Sequence, residues 1–274
     1  MIQTYMENVR KNSPLIHNIT NYVTVNDVAN ILLACGGSPI MADDEAEVEE
    51  ITSLCGGLNI NIGTLNSRTV PSMIKAGKKA NELSHPIVFD PVGAGASSHR
   101  TKTALELISN IQFTVIRGNI SEIKVLALGE GGAKGVDADV SDKITDRSLN
   151  HTIAFAKAYS KKTGAIISIS GATDIICDSN KAYIVNNGHP MMSKITGSGC
   201  MLTALTAAYI TANKNNFLEA AAAAVIAMGI CGELAYGRLC KVGGGNSTYR
   251  NYLIDAMCTL DQDTLERKAK YEIY

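Results

Sequence analysis

PIVFDPVG, residues 86–93, is a strand that stops on a charge. Ile87, Val88 and Phe89 run without polar alternation into Asp90, and Pro91 turns the chain. A strand with no polar face is covered on both sides, which points to a parallel sheet between layers of helices. The same design recurs outward in both directions. SPIMA (38–42) and GLNINIG (57–63) precede it; FTVIRGN (113–119) and AIISISG (165–171) follow it. Helical patterns fill the gaps at roughly 21–35, 45–55, 67–83, 99–110, 121–128 and 147–162. Alternation of this kind implies right-handed crossovers and an α/β three-layer sandwich, a mostly parallel sheet flanked by helices. DIICDSNKAYIV (174–185) breaks the rhythm. Two short β runs flank Asp178-Ser179-Asn180, predicting an antiparallel hairpin at the sheet edge.

After residue 197 the pattern is helical: GSGCMLTALTAAYITAN (197–213), NFLEAAAAAVIAMGICGELAYGRL (216–239) and STYRNYLIDAMCTL (247–260). The middle helix is Ala-rich nearly all round, so it should pack closely against its neighbours or another subunit. No linker or low-complexity stretch divides the chain, and residues 1–274 read as a single domain.

Composition narrows the function. Hydrophobic residues make up 46% and charged ones 19%, as in a well-packed globular protein. Net charge is −1 with no basic run, which argues against a nucleic-acid surface. Seven cysteines show no CxxC pair and no zinc-like histidine spacing, and read as free thiols in a reducing cytoplasm. The N-terminal MIQTYMENVRKNSP has no signal-peptide core. The longest apolar run, 220–232, lies between Glu219 and Glu233 and suits a buried helix better than a membrane span.

Ligands of open parallel sheets bind beyond the carboxyl ends of the strands. Four segments place polar residues there. In VFDPVGAG (88–95), Asp90 could hold Mg²⁺ through water, and would equally suit a turn. In VIRGNISEI (115–123), Arg117 could grip phosphate and Glu122 a metal, though a surface Arg and a helix-start Glu account for the same letters. In ISISGATD (167–174), Ser170-Gly171 offers a hydroxyl and an amide to a nucleotide, or simply forms a turn. In ITGSGC (195–200), Gly197, Ser198 and Gly199 open a helix whose unpaired N–H groups form an anion site. Cys200 falls in that first turn, where positive potential lowers a thiol pKa, though an ordinary glycine-rich helix start with a buried Cys accounts for the same letters; either the site shifts the thiol or Cys200 chiefly shapes the pocket. The segment is no P-loop, since no Gly-Lys-Ser/Thr follows, and neither G-x-G-x-x-G nor G-x-S-x-G occurs where it would count.

Together these segments resemble the hydroxyethylthiazole kinases of the ribokinase-like superfamily, over nearly the whole chain. The resemblance lies in HNITNYV (17–23), SPIMADDEAEVEE (38–50), NIGTL (61–65), DPVGAGAS with Arg100, IRGNISEI, and NGHPMMSKITGSGC (187–200). The last is the most specific. Many kinases of the superfamily carry Asp as the base where this chain and the thiazole kinases carry Cys200. The resemblance implies ATP-dependent phosphorylation of 4-methyl-5-(2-hydroxyethyl)thiazole, with Mg²⁺, in thiamine salvage. It implies a homotrimer with the thiazole site at the subunit boundary, in the cytoplasm, with neither nucleic acid nor membrane as partner. Carried over by motif, Asn21, Val23 and Met41 line the thiazole pocket, Met41 offering a polarizable surface to the ring. Gly63 comes from the neighbouring subunit, and Thr196 and Gly197 close the pocket near the reacting hydroxyl. Asp90 and Glu122 serve Mg²⁺ and its waters, Arg117 the ATP phosphates and Ser170 the nucleotide. The amides of Gly197, Ser198, Gly199 and Cys200 hold the phosphoryl group, and Cys200 stands by the hydroxyl as candidate catalytic base.

Three positions depart from the family pattern. Ser170 stands for a usual Thr, GGGNS (243–247) replaces a Gly-Pro-Gly-Thr/Ser-Phe run, and Asp27 has no assigned role. Hydroxymethylpyrimidine kinases and NAD(P)H-hydrate dehydratases share the architecture, but HNITN and SPIMA argue against both. A non-catalytic ligand sensor would have no need of Asp90, Glu122 and Arg117.

Overall fold

A computed structural model describes residues 2–129 and 146–274. Its first element is helix α1 (Ile2–Asn12), followed by β1 (Leu15–Ile19), α2 (Val25–Cys35), β2 (Ser38–Met41), α3 (Val48–Leu54) and β3 (Gly57–Asn61). Next come α4 (Thr69–Glu82), β4 (Ile87–Asp90), α5 (Ser98–Asn110), β5 (Val115–Asn119) and α6 (Ile120–Leu128). Then α7 (Asp146–Thr163), β6 (Ile166–Ser170), β7 (Asp174–Cys177) and β8 (Ala182–Val185) lead to a 3-10 turn at Pro190–Lys194. The chain ends with α8 (Ser198–Ala212), α9 (Phe217–Val242), α10 (Asn246–Thr259), α11 (Gln262–Lys268) and β9 (Tyr271–Ile273).

The strands form one sheet in the order β2-β1-β3-β4-β5-β6-β7-β8-β9. From β2 to β6 all pairs are parallel; β7, β8 and β9 run antiparallel. Every strand and helix expected from the sequence is present. The hairpin is not the edge, however: β9 pairs with β8 and covers it. Three exposed residues, Tyr-Glu-Ile, carry too little pattern to announce a strand. The strand β1 also went unread, because His17 and Asn18 interrupt its apolar run. Both are buried, and their polar atoms are met inside the sheet layer.

Two apolar cores sandwich the sheet. Ile16, Val28, Leu205, Tyr209 and Ile226 belong to one, under α2, α8 and α9. Leu58, Ile60, Phe89, Leu107 and Ile123 belong to the other, under the helices from α3 to α7. A side chain such as Phe89, fully buried, contributes about 1.5–3 kcal/mol. Period-two alternation splits β3: Leu58 and Ile60 enter the second core, while Asn59 and Asn61 face the α8 side. Helix α9 is longer than its apolar run suggested. Among the described residues it alone is long and apolar enough to cross a membrane, and 78% of its most apolar stretch is buried in the fold. It packs on α1, α8, α10 and the strands of its own chain, so its alanines are accounted for without a second subunit.

Candidate active site

The carboxyl ends of β1, β3, β4, β5 and β6 converge on the start of α8. Gly197 stands before that helix with φ +85°, ψ −2°, a left-handed conformation that favours glycine. A Cβ on Gly197 would lie 2.8 Å from Thr24 Cγ2, and one on Gly199 would lie 2.7 Å from Arg117 Nη1. Close approach and a positive φ together demand glycine at 197, while a side chain at 199 would require the Arg117 guanidinium to shift. No side chain caps α8. Among the described residues no acceptor takes the N–H groups of Ser198, Gly199 or Cys200. These amides and the helix dipole form a positive cradle without a protein acceptor among the described residues.

Arg117 lies beside that cradle, 8% exposed. Its Nη2 donates to Ser170 Oγ at 2.7 Å, and its Nη1 lies 3.7 Å from Asp90 Oδ2. The buried Nε has no partner among the described residues. Asp90, 1% exposed, accepts at Oδ2 from Thr203 Oγ1 (2.7 Å) and Asn61 Nδ2 (3.0 Å). Oδ1 takes no hydrogen bond from a described residue. Burial pushes this carboxyl up to about 6, with Glu122 adding to it, against the opposing pull of Arg117, Thr203 and Asn61. Glu122 closes a capping box with Asn119, its Oε2 accepting the Asn119 N–H at 2.8 Å. Its Oε1 accepts the Gly93 N–H, also at 2.8 Å, so it ties the α6 start to the loop after β4.

Cys200 is half-buried in the first turn of α8. Its Sγ accepts from Asn21 Nδ2 and Asn61 Nδ2, each at 3.3 Å. The expected lowering of the thiol does not occur. Burial, helped by the Asp90 charge, raises it, and hydrogen bonds with Thr24, Asn21 and Asn61 only reduce the rise. The helix end was the one influence visible in the local sequence; Asp90 comes from a segment far away in the chain.

The residues expected around the thiazole divide into two groups. Asn21 is buried and joined to Asn61 Oδ1 at 2.9 Å, and Gly197 abuts Thr24. Val23 is 56% exposed, as is its neighbour Tyr22 at 77%, and Thr196 is exposed too. Met41, half-buried, ends β2 opposite Asn18. Gly63, expected to reach in from a neighbouring subunit, already lies against Asn21 of its own chain, where a Cβ would come within 2.9 Å. The sequence reading assigned no role to Asn61, Thr203 or Arg100. Arg100 donates to the carbonyls of Ile62 (2.9 Å), Val92 (2.8 Å) and Gly63 (2.7 Å), clamping the loops after β3 and β4. The N-I-N alternation in β3 was the one available signal for Asn61, since a buried central-strand Asn needs partners. Asp27, also buried, lies 3.7 Å from Arg250 Nη1 and close to Gly197.

The profile of the hydroxyethylthiazole kinase family matches residues 6–263. The hydroxyethylthiazole kinase of Clostridium acetobutylicum is 66% identical over 274 residues, 100% of both chains. That of Clostridium tetani is 48% identical over 262 residues, 96% of this chain and 94% of its own. The solved hydroxyethylthiazole kinase of Pyrococcus horikoshii superposes with a TM-score of 0.87 at 34% identity, over 100% of this chain and 98% of that one. A pyridoxal kinase from Staphylococcus aureus, solved with AMP-PCP and pyridoxal, has a TM-score of 0.57 at 16% identity, over 80% of this chain and 87% of that one, and shares the ribokinase-like fold alone. Likeness of this degree along the full sequence leaves one placement: the chain belongs to the hydroxyethylthiazole kinase family.

Proposed function

We infer that this chain transfers the terminal phosphoryl group of ATP to the hydroxyl of 4-methyl-5-(2-hydroxyethyl)thiazole, releasing ADP, in thiamine salvage. The observation that carries this reading is the amide cradle at 197–200, which no described protein acceptor takes, set beside Arg117 and Cys200. Phosphoryl transfer asks chiefly for alignment and for charge stabilisation. The amides of Ser198, Gly199 and Cys200 supply hydrogen bonds to oxygens that gain charge in the transition state. Arg117, already fixed by Ser170, adds a full positive charge beside Gly199. Ser170 keeps the hydroxyl that the family's usual Thr would bring, so the nucleotide side loses nothing by the change.

The substrate oxygen attacks phosphorus as the bond to the departing ADP oxygen breaks, and the hydroxyl proton leaves late, to an oxygen of the transferred phosphoryl group and from there to water. The raised thiol makes Cys200 a partner that orients the hydroxyl more than a strong base. Asn21, Val23 and Met41 hold the ring, with Thr196 and Gly197 closing over the hydroxyl. Asp90 and Glu122 would hold Mg²⁺ through its waters: Asp90 Oδ1 takes no hydrogen bond from a described residue, and Glu122, in the first turn of α6, is tied to the loop after β4 by the Gly93 N–H. Two carboxylates suit an ion that keeps much of its water, and when bound it neutralises phosphate charge.

The exposure of Tyr22 and Val23 beside buried Asn21 supports a homotrimer whose next subunit covers the ring. One continuous sheet supports a single domain, and seven free cysteines support a cytoplasmic setting. A coupled assay presents the thiazole alcohol, the pyrimidine alcohol and hydrated NADPH in parallel. ADP production with the thiazole alcohol alone is the expected result. Binding of that alcohol without any ADP would make the chain a sensor. Gly197→Val abolishes turnover, because the new side chain meets Thr24, whereas Cys200→Asp keeps substantial activity.

A further inference from the structure

Asn61 ends β3, is 2% exposed, and has no part in the chemistry above. Its amide is nonetheless saturated by groups that do. Oδ1 accepts from Gly63 N and from Asn21 Nδ2, both at 2.9 Å. Nδ2 donates to Asp90 Oδ2 at 3.0 Å and to Cys200 Sγ at 3.3 Å. A backbone N–H can only donate, so Gly63 forces the oxygen of Asn61 toward itself and the nitrogen toward Asp90 and Cys200. Asn21 is oriented by the same logic. Thr24 N donates to its Oδ1 at 3.1 Å, which turns Nδ2 toward Asn61 and toward Cys200 Sγ.

Two amide hydrogens, one from the end of β3 and one from the loop after β1, therefore meet on one sulfur. A sulfur held from two sides has a defined position, and its own hydrogen is directed away from both donors. The contrast with Asn18 and Asn59 is instructive. Asn59 Nδ2 donates to Asn18 Oδ1, and Asn18 Nδ2 donates to Ile16 O, so those bonds stay within the sheet, while Asn59 Oδ1 finds no partner among the described residues. Asn61 instead bonds to three side chains of the site. Those side chains come from β4, α8 and the segment leading into α2.

We propose that Asn61 is a positioning residue for phosphoryl transfer: the two hydrogens of its amide fix the Cys200 sulfur relative to the Asp90 carboxylate, where the substrate hydroxyl arrives. The proposal rests on the thiazole kinase reading. It acts through Cys200, so its signature is energetic coupling between the two positions.

The test is a double-mutant cycle on the full chain, with kcat and KM measured for ATP and the thiazole alcohol in Mg²⁺. Asn61→Ala is expected to lower kcat by about 30-fold or more while the KM for ATP stays within about 2-fold. In a Cys200→Ala background the same substitution is expected to cost less than about 3-fold. Equal costs in the two backgrounds overturn the proposal. Asn61→Asp keeps the shape and removes both donations, so its kcat must fall as far; wild-type turnover in that variant overturns the proposal too. Alkylation of Cys200 by iodoacetamide, followed on its own peptide by mass spectrometry, needs neither substrate nor turnover. Asn61→Asp is expected to change that rate by about 5-fold or more while exposed Cys240 reacts as before. An unchanged Cys200 rate counts against Asn61. Absence of wild-type turnover on the thiazole alcohol would instead sink the thiazole kinase reading, and the alkylation result would still judge Asn61.

Discussion

At Gly199 a hydrogen atom stands where any other residue would place a carbon 2.7 Å from the Arg117 guanidinium. Gly199→Ala requires the Arg117 guanidinium to shift from its place beside Ser170 and Asp90, and should lower kcat/KM for ATP by about 100-fold, read by steady-state kinetics with ATP varied. Asp174, whose Oδ1 accepts the Gly171 N–H, makes a different prediction. Burial pushes its carboxyl up to about 6, against the pull of Gly171 and Arg117. A folded-state value above the unfolded one means that the folded chain takes up a proton as pH falls through 6. The stabilisation it brings is complete below about 4 and lost above about 6. The melting temperature of the wild type, relative to Asp174→Asn, should therefore rise as pH drops from 7 to 5. At this scale Asp90, Arg117 and Ser170 were legible, because a polar residue ending an apolar strand stands out in one dimension. Asn61 and Thr203 were not. Their meaning comes from what faces them across strands and helices, and neighbours in sequence do not carry that information. The direction of the Cys200 shift could not be read for the same reason.

Single elements act here as clamps. Arg100, on α5, fixes three carbonyls from two loops with one guanidinium. Arg100→Lys loses the fork that reaches all three at once. It should cost about 1.5–3 kcal/mol and lower the melting point by several degrees, and because Gly63 lies against Asn21 the KM for the thiazole alcohol should rise. Calorimetry and kinetics on one preparation check both parts. The starts of α5 and α6 lie within a residue of the expected 99 and 121, where a cap is written locally, whereas α2, without a side-chain cap, starts at Val25 and not near 21. Ser97 accepts from Arg100 N, and Asn119 and Glu122 cap each other. The strand β1 stayed hidden because its polar residues look unburiable until their partners are seen. His17 has Thr52 Oγ1 at 2.9 Å and Ala42 O at 2.8 Å, one on each ring nitrogen.

For the molecule as a whole, the α/β class and the three layers could be read from the alternation of buried strands and helices. Strand order could not, since β1 sits between β2 and β3 and nothing in the letters says so. The proposed homotrimer predicts a mass in light scattering of about three times 29.1 kDa. Tyr22→Asp, placing a charge on a 77% exposed apolar side chain at the covered face, should shift the population toward single chains and raise the KM for the thiazole alcohol. The alanine helix α9, shut in by its own polypeptide, bears on how such an assembly forms. A newly made copy can complete its interior before it meets another. Association then becomes a separate, reversible event, and strong dilution should yield single copies with an intact circular dichroism spectrum that have lost their catalysis but not their shape.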